Sequence, residues 1–141
     1  MWLLNTLTRE LEYFVSETAQ KYAILSHTWG DYEVLFQDMK NGEATKRKGW
    51  AKVLGTCQQA HNDGHRYVWI DSCCISRESS SELSEAINSM WLYYCEAEIC
   101  YALLSDVDEH CPELHPEDDW ASGQQQRAFK GARWFERGWS K

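Results

Sequence analysis

Three continuous apolar runs divide the chain, and two amphipathic stretches separate them. The runs lie at 22–26, 67–70 and 99–104, and runs of this length are typical of strands buried on both faces. Apolar residues recur at helical spacing in 48–63 and again in 79–95. The order strand, helix, strand, helix, strand predicts a parallel sheet with right-handed crossovers, and therefore an α/β fold.

Turn and cap signals agree with these boundaries. Gly64 is well placed to end the first helix. Residues 79–82 have the Ser-x-x-Glu form of a capping box, which predicts the start of the second helix. Ahead of this core, short apolar runs at 2–4 and 11–15 predict a β-hairpin within residues 1–15.

The sequence changes character after the third predicted strand. From Asp106 to Asp119 there are seven acidic residues, two prolines and no Lys or Arg, which predicts a solvated loop over 106–119. Residues 124–141 are basic and aromatic, and the chain ends among them without a cap or stop signal. We therefore expect one domain, 1–141, with a βαβαβ core at 22–104 and a C-terminally truncated last element.

Composition narrows the class of protein. A hydrophobic fraction of 43% excludes a disordered chain. The net charge of -8 disfavours nucleic-acid binding, which depends on Lys and Arg meeting phosphates. No run of 18 apolar residues occurs, so no membrane span is expected, and the start does not resemble a signal peptide. The six cysteines are therefore expected to be reduced thiols in the cytoplasm.

Polar residues follow each predicted strand at its carboxyl end, at 26–29, 71–74 and 105–106. In open parallel sheets, ligands bind beyond the carboxyl ends of the strands. We therefore expect these clusters to converge into one ligand site. The candidate ligand-binding residues are Ser26, His27, Trp29, Asp71 and Cys73.

Each candidate also has a structural interpretation. His27 fits a general base or ligand contact, or a histidine that holds a loop. Trp29 fits stacking on a flat ligand, or packing over the end of the sheet. Asp71 fits orientation of a ribose hydroxyl or a histidine, or a turn. Cys73 is a nucleophile if it contacts His27, and a structural thiol otherwise.

Glu85 is the candidate catalytic acid, because its helix begins near the loop after the second strand. A carboxylate in a first helical turn also favours the helix dipole, which is the structural interpretation of Glu85. No metal site is expected. Zinc sites need two well-spaced ligand pairs, whereas Cys57, His61 and His65 span two helical turns.

The sequence resembles the fungal heterokaryon incompatibility (HET) family along nearly its whole length. The matching segments are YAILSHTWG at 22–30, FQDM at 36–39, VWIDSCCI at 68–75, ELSEAINSM at 82–90, CYALLSDV at 100–107 and RWFERGW at 133–139. The resemblance implies an intracellular module that triggers cell death when incompatible hyphae fuse. It also implies protein partners or self-association.

That family is in turn similar to Toll/interleukin-receptor (TIR) domains, which implies a flavodoxin-like sheet with strand 22–26 in the middle. Some TIR domains cleave NAD with a glutamate on the helix after the third strand. HET sequences typically continue Gly-Trp-Thr/Ser with Leu-Gln-Glu-Leu, whereas this chain ends at Lys141. We therefore expect no NAD cleavage by this fragment. An NAD hydrolase using Glu85, and an inactive remnant, are the alternatives to a signalling module.

Overall fold

The computed structural model describes residues 1–16, 20–106 and 133–136, and within these ranges five strands form one sheet. The strands are β1 (Trp2–Asn5), β2 (Leu11–Tyr13), β3 (Ala23–His27), β4 (Tyr67–Ile70) and β5 (Ile99–Leu103). The helices are α1 (Phe36–Lys40), α2 (Trp50–Asn62), α3 (Asp71–Cys74) and α4 (Ser80–Glu96), with 3-10 turns at Ala44–Lys46 and Arg133–Glu136. The predicted acidic loop and most of the predicted last element lie outside the described residues.

The strand order is β2-β1-β4-β3-β5. The middle strand of the predicted core, β3, pairs in parallel with β4 and with β5. Its register places Leu25 opposite Ile70 and His27 opposite Leu103. The predicted α/β class is confirmed, as is the placement of the first core strand between the other two.

The N-terminal strands form the predicted hairpin and also extend the sheet. Leu3 pairs with Glu12 across the antiparallel β1–β2 ladder, and Leu4 pairs with Val68 in an antiparallel β1–β4 ladder. The Thr6 hydroxyl donates to backbone carbonyls at 65 and 66, at the start of β4. The sequence predicted the hairpin but not this attachment, because a local pattern does not name a distant partner.

The helix ends follow the cap signals. Gly64 has a φ of 88°, the left-handed region that glycine adopts without strain. The Ser79 hydroxyl accepts the Glu82 backbone N–H at 3.3 Å, which caps α4. Both predicted helices are therefore present within one or two residues of their expected bounds.

Alternation along β3 separates its last residues onto opposite faces of the sheet. Leu25 and His27 lie on one face, and Ile24 and Ser26 lie on the other. The helix α2 covers the first face, where Lys52 reaches the His27 ring. The His27 side chain is therefore held between the sheet and α2.

The helix α4 covers the other face. Trp69 is in register with Ile24, and the Tyr93 ring packs edge-to-face on Trp69 at a centroid distance of 5.5 Å. The Tyr22 hydroxyl donates to the Tyr93 carbonyl at 2.7 Å, inside the core. Ser26 consequently shares a face of the sheet with α4 and not with α2.

The segment between β3 and α2 is built from short helical turns, which the spacing of apolar residues in the sequence did not predict. The Asp38 carboxylate accepts the Leu35 backbone N–H at 2.9 Å and the Arg47 guanidinium at 2.6 and 2.8 Å. A side chain on Gly49 would lie only 2.3 Å from the Tyr32 carbonyl oxygen, so glycine permits the close approach of the 28–35 loop to α2. These contacts fix the loop that carries Glu33.

We expect Asp38 to make the fold sensitive to acid. Burial raises the pKa of this carboxyl, but the Leu35 N–H and Arg47 outweigh burial and hold the pKa below its usual value. A depressed folded-state pKa stabilises the fold above the unfolded-state pKa, and that contribution is lost as pH falls through the folded-state value. Asp38→Asn should lower the free energy of unfolding at neutral pH by about 1–2 kcal/mol.

Urea unfolding at neutral pH and below about pH 3 measures this effect. The deficit of Asp38→Asn should shrink as pH falls and the wild-type carboxyl becomes protonated. Glu43→Gln is the matched control, because Glu43 and Lys46 form an exposed pair. An unchanged deficit across this pH range would contradict the assignment to the Asp38 charge.

Candidate functional site

The carboxyl ends of β3 and β4 are joined by one carboxylate. His27 ends β3 and Asp71 directly follows β4, so the parallel pairing of these strands brings the two residues together. His27 Nε2 lies 2.8 Å from Asp71 Oδ1. The Trp29 indole N–H donates to Asp71 Oδ2 at 3.0 Å. Three of the predicted site residues therefore meet where the sequence placed them.

Two residues that the sequence analysis did not select complete the arrangement. Lys52 Nζ lies 2.9 Å from His27 Nδ1 and 2.5 Å from Glu33 Oε1. Glu33 Oε1 also accepts the Gly30 backbone N–H at 2.7 Å. The side chains of Lys52 and Glu33 are only 16% and 6% exposed. We refer to Glu33, Lys52, His27, Asp71 and Trp29 as the polar chain.

The polar chain fixes the tautomer of His27. A lysine ammonium has donors and no acceptor, so the Nδ1 atom that faces Lys52 must accept. The ring proton then lies on Nε2, which donates to Asp71. The His27 side chain is 1% exposed. Because both ring nitrogens bind buried neighbours, the geometry favours the structural interpretation of His27 over a general base.

Trp29 is held at the rim of the polar chain. It is 37% exposed, and the Arg77 guanidinium lies 4.4 Å from the centroid of its ring. Such a cation–π contact covers one face of the indole. The ring thus packs over the end of the sheet and under Arg77, which leaves less of it for stacking on a flat ligand.

Some polar atoms in and beside the polar chain lack hydrogen-bond partners. Among the residues that the structure describes, the buried atoms Thr28 Oγ1, Glu33 Oε2 and Ser72 Oγ have no hydrogen-bond partner. Each such atom destabilises a fold by about 1–3 kcal/mol. Thr28 and Ser72 follow His27 and Asp71 directly, so these atoms lie near the strand ends, whereas the fourth unsatisfied atom of the described residues, Trp2 Nε1, lies on β1. Clusters of this kind are more typical of functional sites than of ordinary cores.

Ser26 does not join the polar chain, which corrects the predicted convergence. It points to the α4 face of the sheet, and its hydroxyl accepts the Trp134 indole N–H at 3.0 Å. Neighbouring residues of a strand face opposite ways, so Ser26 and His27 could not both face one site. Because strand alternation can be read from the sequence, it predicts that Ser26 and His27 face opposite sides of the sheet.

Cys73 is a core residue, which favours the structural-thiol interpretation over ligand binding. The side chain is fully buried. A hydrogen bond to Cys74, together with burial, raises the pKa of the Cys73 thiol well above its usual range. Burial likewise raises the pKa of Cys57 to about 12. These thiols stay protonated at neutral pH, and a protonated thiol is a poor nucleophile.

Glu85 lies apart from the polar chain. It is an exposed residue of α4, which covers the face of the sheet opposite to Lys52. With Met1, Trp2 and Glu82 it lines a cavity of about 40 Å³. Such a cavity is large enough for water, whereas ligand pockets typically enclose about 300–1,000 Å³.

The described parts of the chain bear on two further expectations, a metal site and a membrane span. No group of three His, Cys, Asp or Glu side chains there is arranged to hold a metal ion. None of the helices there is long and apolar enough to cross a membrane. His110, Cys111 and His115, another set of possible metal ligands in the sequence, lie outside the described residues.

Comparison with known proteins gives one family. Residues 22–128 match the family model described as Heterokaryon incompatibility protein (HET). The chain is 41% identical over 121 residues to the vegetative incompatibility protein HET-E-1 of Podospora anserina, a match that covers 84% of this chain and 9% of that protein. No solved structure matches the chain. The matched region of the family model contains β3, β4, β5 and the whole polar chain.

Proposed function

The chain belongs to the heterokaryon incompatibility family, and from this premise we propose that it is a cytoplasmic module that signals fungal cell death through protein contacts. It spans 9% of the length of the curated relative, so the proposal concerns this module and not that whole protein. The observation that carries the proposal is the closure of the polar chain around His27. The groups that would perform chemistry at the strand ends instead bind one another.

Catalysis needs an acid or base within hydrogen-bond reach of the reacting atom. His27 is buried with both ring nitrogens bound. The Cys73 thiol is buried, and its pKa is raised. Glu85 is accessible but lies on the other face of the sheet. The described residues therefore favour binding through the protein surface over catalysis by a preorganised set of side chains.

Expression of the chain in a filamentous fungus tests the proposal. Uptake of a vital dye reports death, and cellular NAD is measured in the same cultures. We expect dye uptake to show cell death, and we expect the NAD level of the cells that are still alive to equal that of control cultures. Asp71→Ala should abolish death by disrupting the polar chain, and the exposed Asp31→Ala should not. Survival of cells with abundant folded protein would contradict the proposal.

The second candidate is a TIR-like NAD hydrolase. The unsatisfied atoms of Thr28, Glu33 and Ser72 favour it, because polar atoms at the carboxyl ends of parallel strands are where a ribose or phosphate would bind. We nevertheless expect no measurable nicotinamide release when the purified chain is incubated with NAD. Turnover that is lost in Glu85→Gln would place a catalytic acid on α4. Turnover that is lost in Asp71→Asn alone would place it in the polar chain.

A further inference from the structure

The helix α4 has an apolar face toward the core and a second apolar face toward solvent. Its inward residues pack against the core; they are Leu83, Ala86, Met90, Tyr93 and Tyr94. On the outward side, Ile87 is 57%, Trp91 80% and Leu92 42% exposed. A tryptophan this exposed on a well-formed helix is unusual, and a contiguous exposed apolar patch typically marks an interaction site.

Helical spacing places the exposed residues in two neighbouring rows on the solvent side of α4. Ile87 and Trp91 are four residues apart and therefore lie one above the other on the helix. Leu92 lies about 100° further around the helix axis, in the second row. Glu85 precedes Leu92 by seven residues and Glu96 follows it by four, so these carboxylates run along the Leu92 side. We refer to Glu85, Ile87, Trp91, Leu92 and Glu96 as the α4 strip.

The charge along α4 and its flanking residues has one sign. From residue 78 to residue 106 the sequence has no Lys, Arg or His. The acidic residues of this stretch are Glu78, Glu82, Glu85, Glu96, Glu98 and Asp106. Of these, Glu98 pairs with Lys21 at 2.7 Å. The Leu92 row is therefore flanked by carboxylates, and α4 has no basic residue to neutralise them.

Glu96 adds an independent indication. It is the last residue of α4, and the last turn has no basic residue. The C-terminus of a helix carries partial negative charge, so a carboxylate there opposes the helix dipole. This arrangement destabilises α4 slightly. A local cost without a local benefit is expected where a residue serves a contact outside the fold.

We propose that the α4 strip binds a basic amphipathic segment of a partner protein, with an apolar ridge that packs on Trp91 and Lys or Arg residues that meet Glu85 and Glu96. A second copy of the chain is a poorer occupant, because a twofold contact would bring the same carboxylates together. The proposal deepens the proposed function by naming the chemistry of the partner. The binding itself can be measured without cell death.

The probe is a fluorescently labelled amphipathic peptide of about 18 residues with Leu along one face and Lys elsewhere. Its matched control carries Glu in place of every Lys. Fluorescence anisotropy with the whole chain should show saturable binding of the Lys peptide only. Trp91→Ala should weaken that binding at least about tenfold, as loss of a central aromatic anchor does. Tyr32→Ala, a 60% exposed aromatic on a different element, should leave it unchanged.

Glu96→Lys separates binding from folding. It should weaken binding several-fold, and more at low salt, because an electrostatic contact is lost. It should not lower the thermal midpoint, since a lysine at this position favours the helix dipole. Equal binding of both peptides, or equal loss in Tyr32→Ala, would overturn the proposal. So would a concentration-dependent dimer in sedimentation that Trp91→Ala abolishes, because a second copy would then occupy the strip.

Discussion

Replacing Asp71 with alanine is expected to lower the free energy of unfolding by about 3–5 kcal/mol, because two hydrogen bonds to a charged acceptor are lost and each is worth about 1.5–3 kcal/mol. The Asp71 side chain is 11% exposed and accepts from both the His27 ring and the Trp29 indole. Without it, the buried His27 N–H and the partly buried Trp29 N–H lose their acceptor, and the Lys52 charge loses a nearby carboxylate. Urea unfolding followed by tryptophan fluorescence measures the loss.

Two further variants identify the cause. Asp71→Asn keeps the shape of the side chain but offers one acceptor, and its amide NH₂ must face a donor. We expect it to be destabilised by about 2 kcal/mol, less than Asp71→Ala. Asp31→Ala removes an exposed carboxylate of the same type and should change stability by no more than about 0.5 kcal/mol. A loss below about 1 kcal/mol for Asp71→Ala would show that the polar chain does not hold the strand ends.

The core of the fold was predictable because its signals are local. The apolar runs, the helical spacing and the caps at Gly64 and Ser79 are all contained within short windows of sequence. Strand order followed from the crossovers and from the family resemblance. The β1–β4 ladder was not predictable in this way, since Leu4 and Val68 are far apart in the sequence and neither pattern specifies the other.

The site was predictable in position and less so in membership. The rule that parallel strands end together brought His27 and Asp71 into contact. Lys52 and Glu33 were not predicted, because their partners are distant in the sequence: Lys52 lies 25 residues from His27, and Glu33 lies 19 residues from Lys52. Lys52 lies on the polar side of the α2 pattern, and Glu33 lies in a loop that has no apolar pattern. Cys73 also follows a strand end but faces the core, because a small residue after a strand can turn inward.

The polar chain also explains how the 28–35 loop is held against the sheet. Glu33 binds the Gly30 backbone within the loop and Lys52 on α2, while Trp29 binds Asp71 after β4. Sheet, helix and loop therefore share one set of buried charges. A substitution at any member of the polar chain should therefore alter the packing of Trp29 against Arg77 at the solvent-facing rim.

Removing Lys52, the cation of the polar chain, is expected to destabilise the fold about as much as Asp71→Ala. Lys52→Met keeps the apolar stem of the side chain but leaves the Glu33 carboxylate, which is 6% exposed, without its counter-ion. It also leaves His27 Nδ1 without the donor it accepts from. We expect the free energy of unfolding to fall by about 3–5 kcal/mol, since the uncompensated buried charge dominates the loss. Lys46→Met, on an exposed pair, is the control.

The double variant Glu33→Gln/Lys52→Met tests that explanation. It removes both charges, so the desolvated carboxylate that penalises Lys52→Met is absent. The double variant should be more stable than Lys52→Met alone, with a coupling energy between the two sites of about 1–3 kcal/mol. Strictly additive losses would show that Glu33 and Lys52 contribute independently. The destabilisation of Lys52→Met would then come from its contact with His27, and the polar chain would begin at that ring.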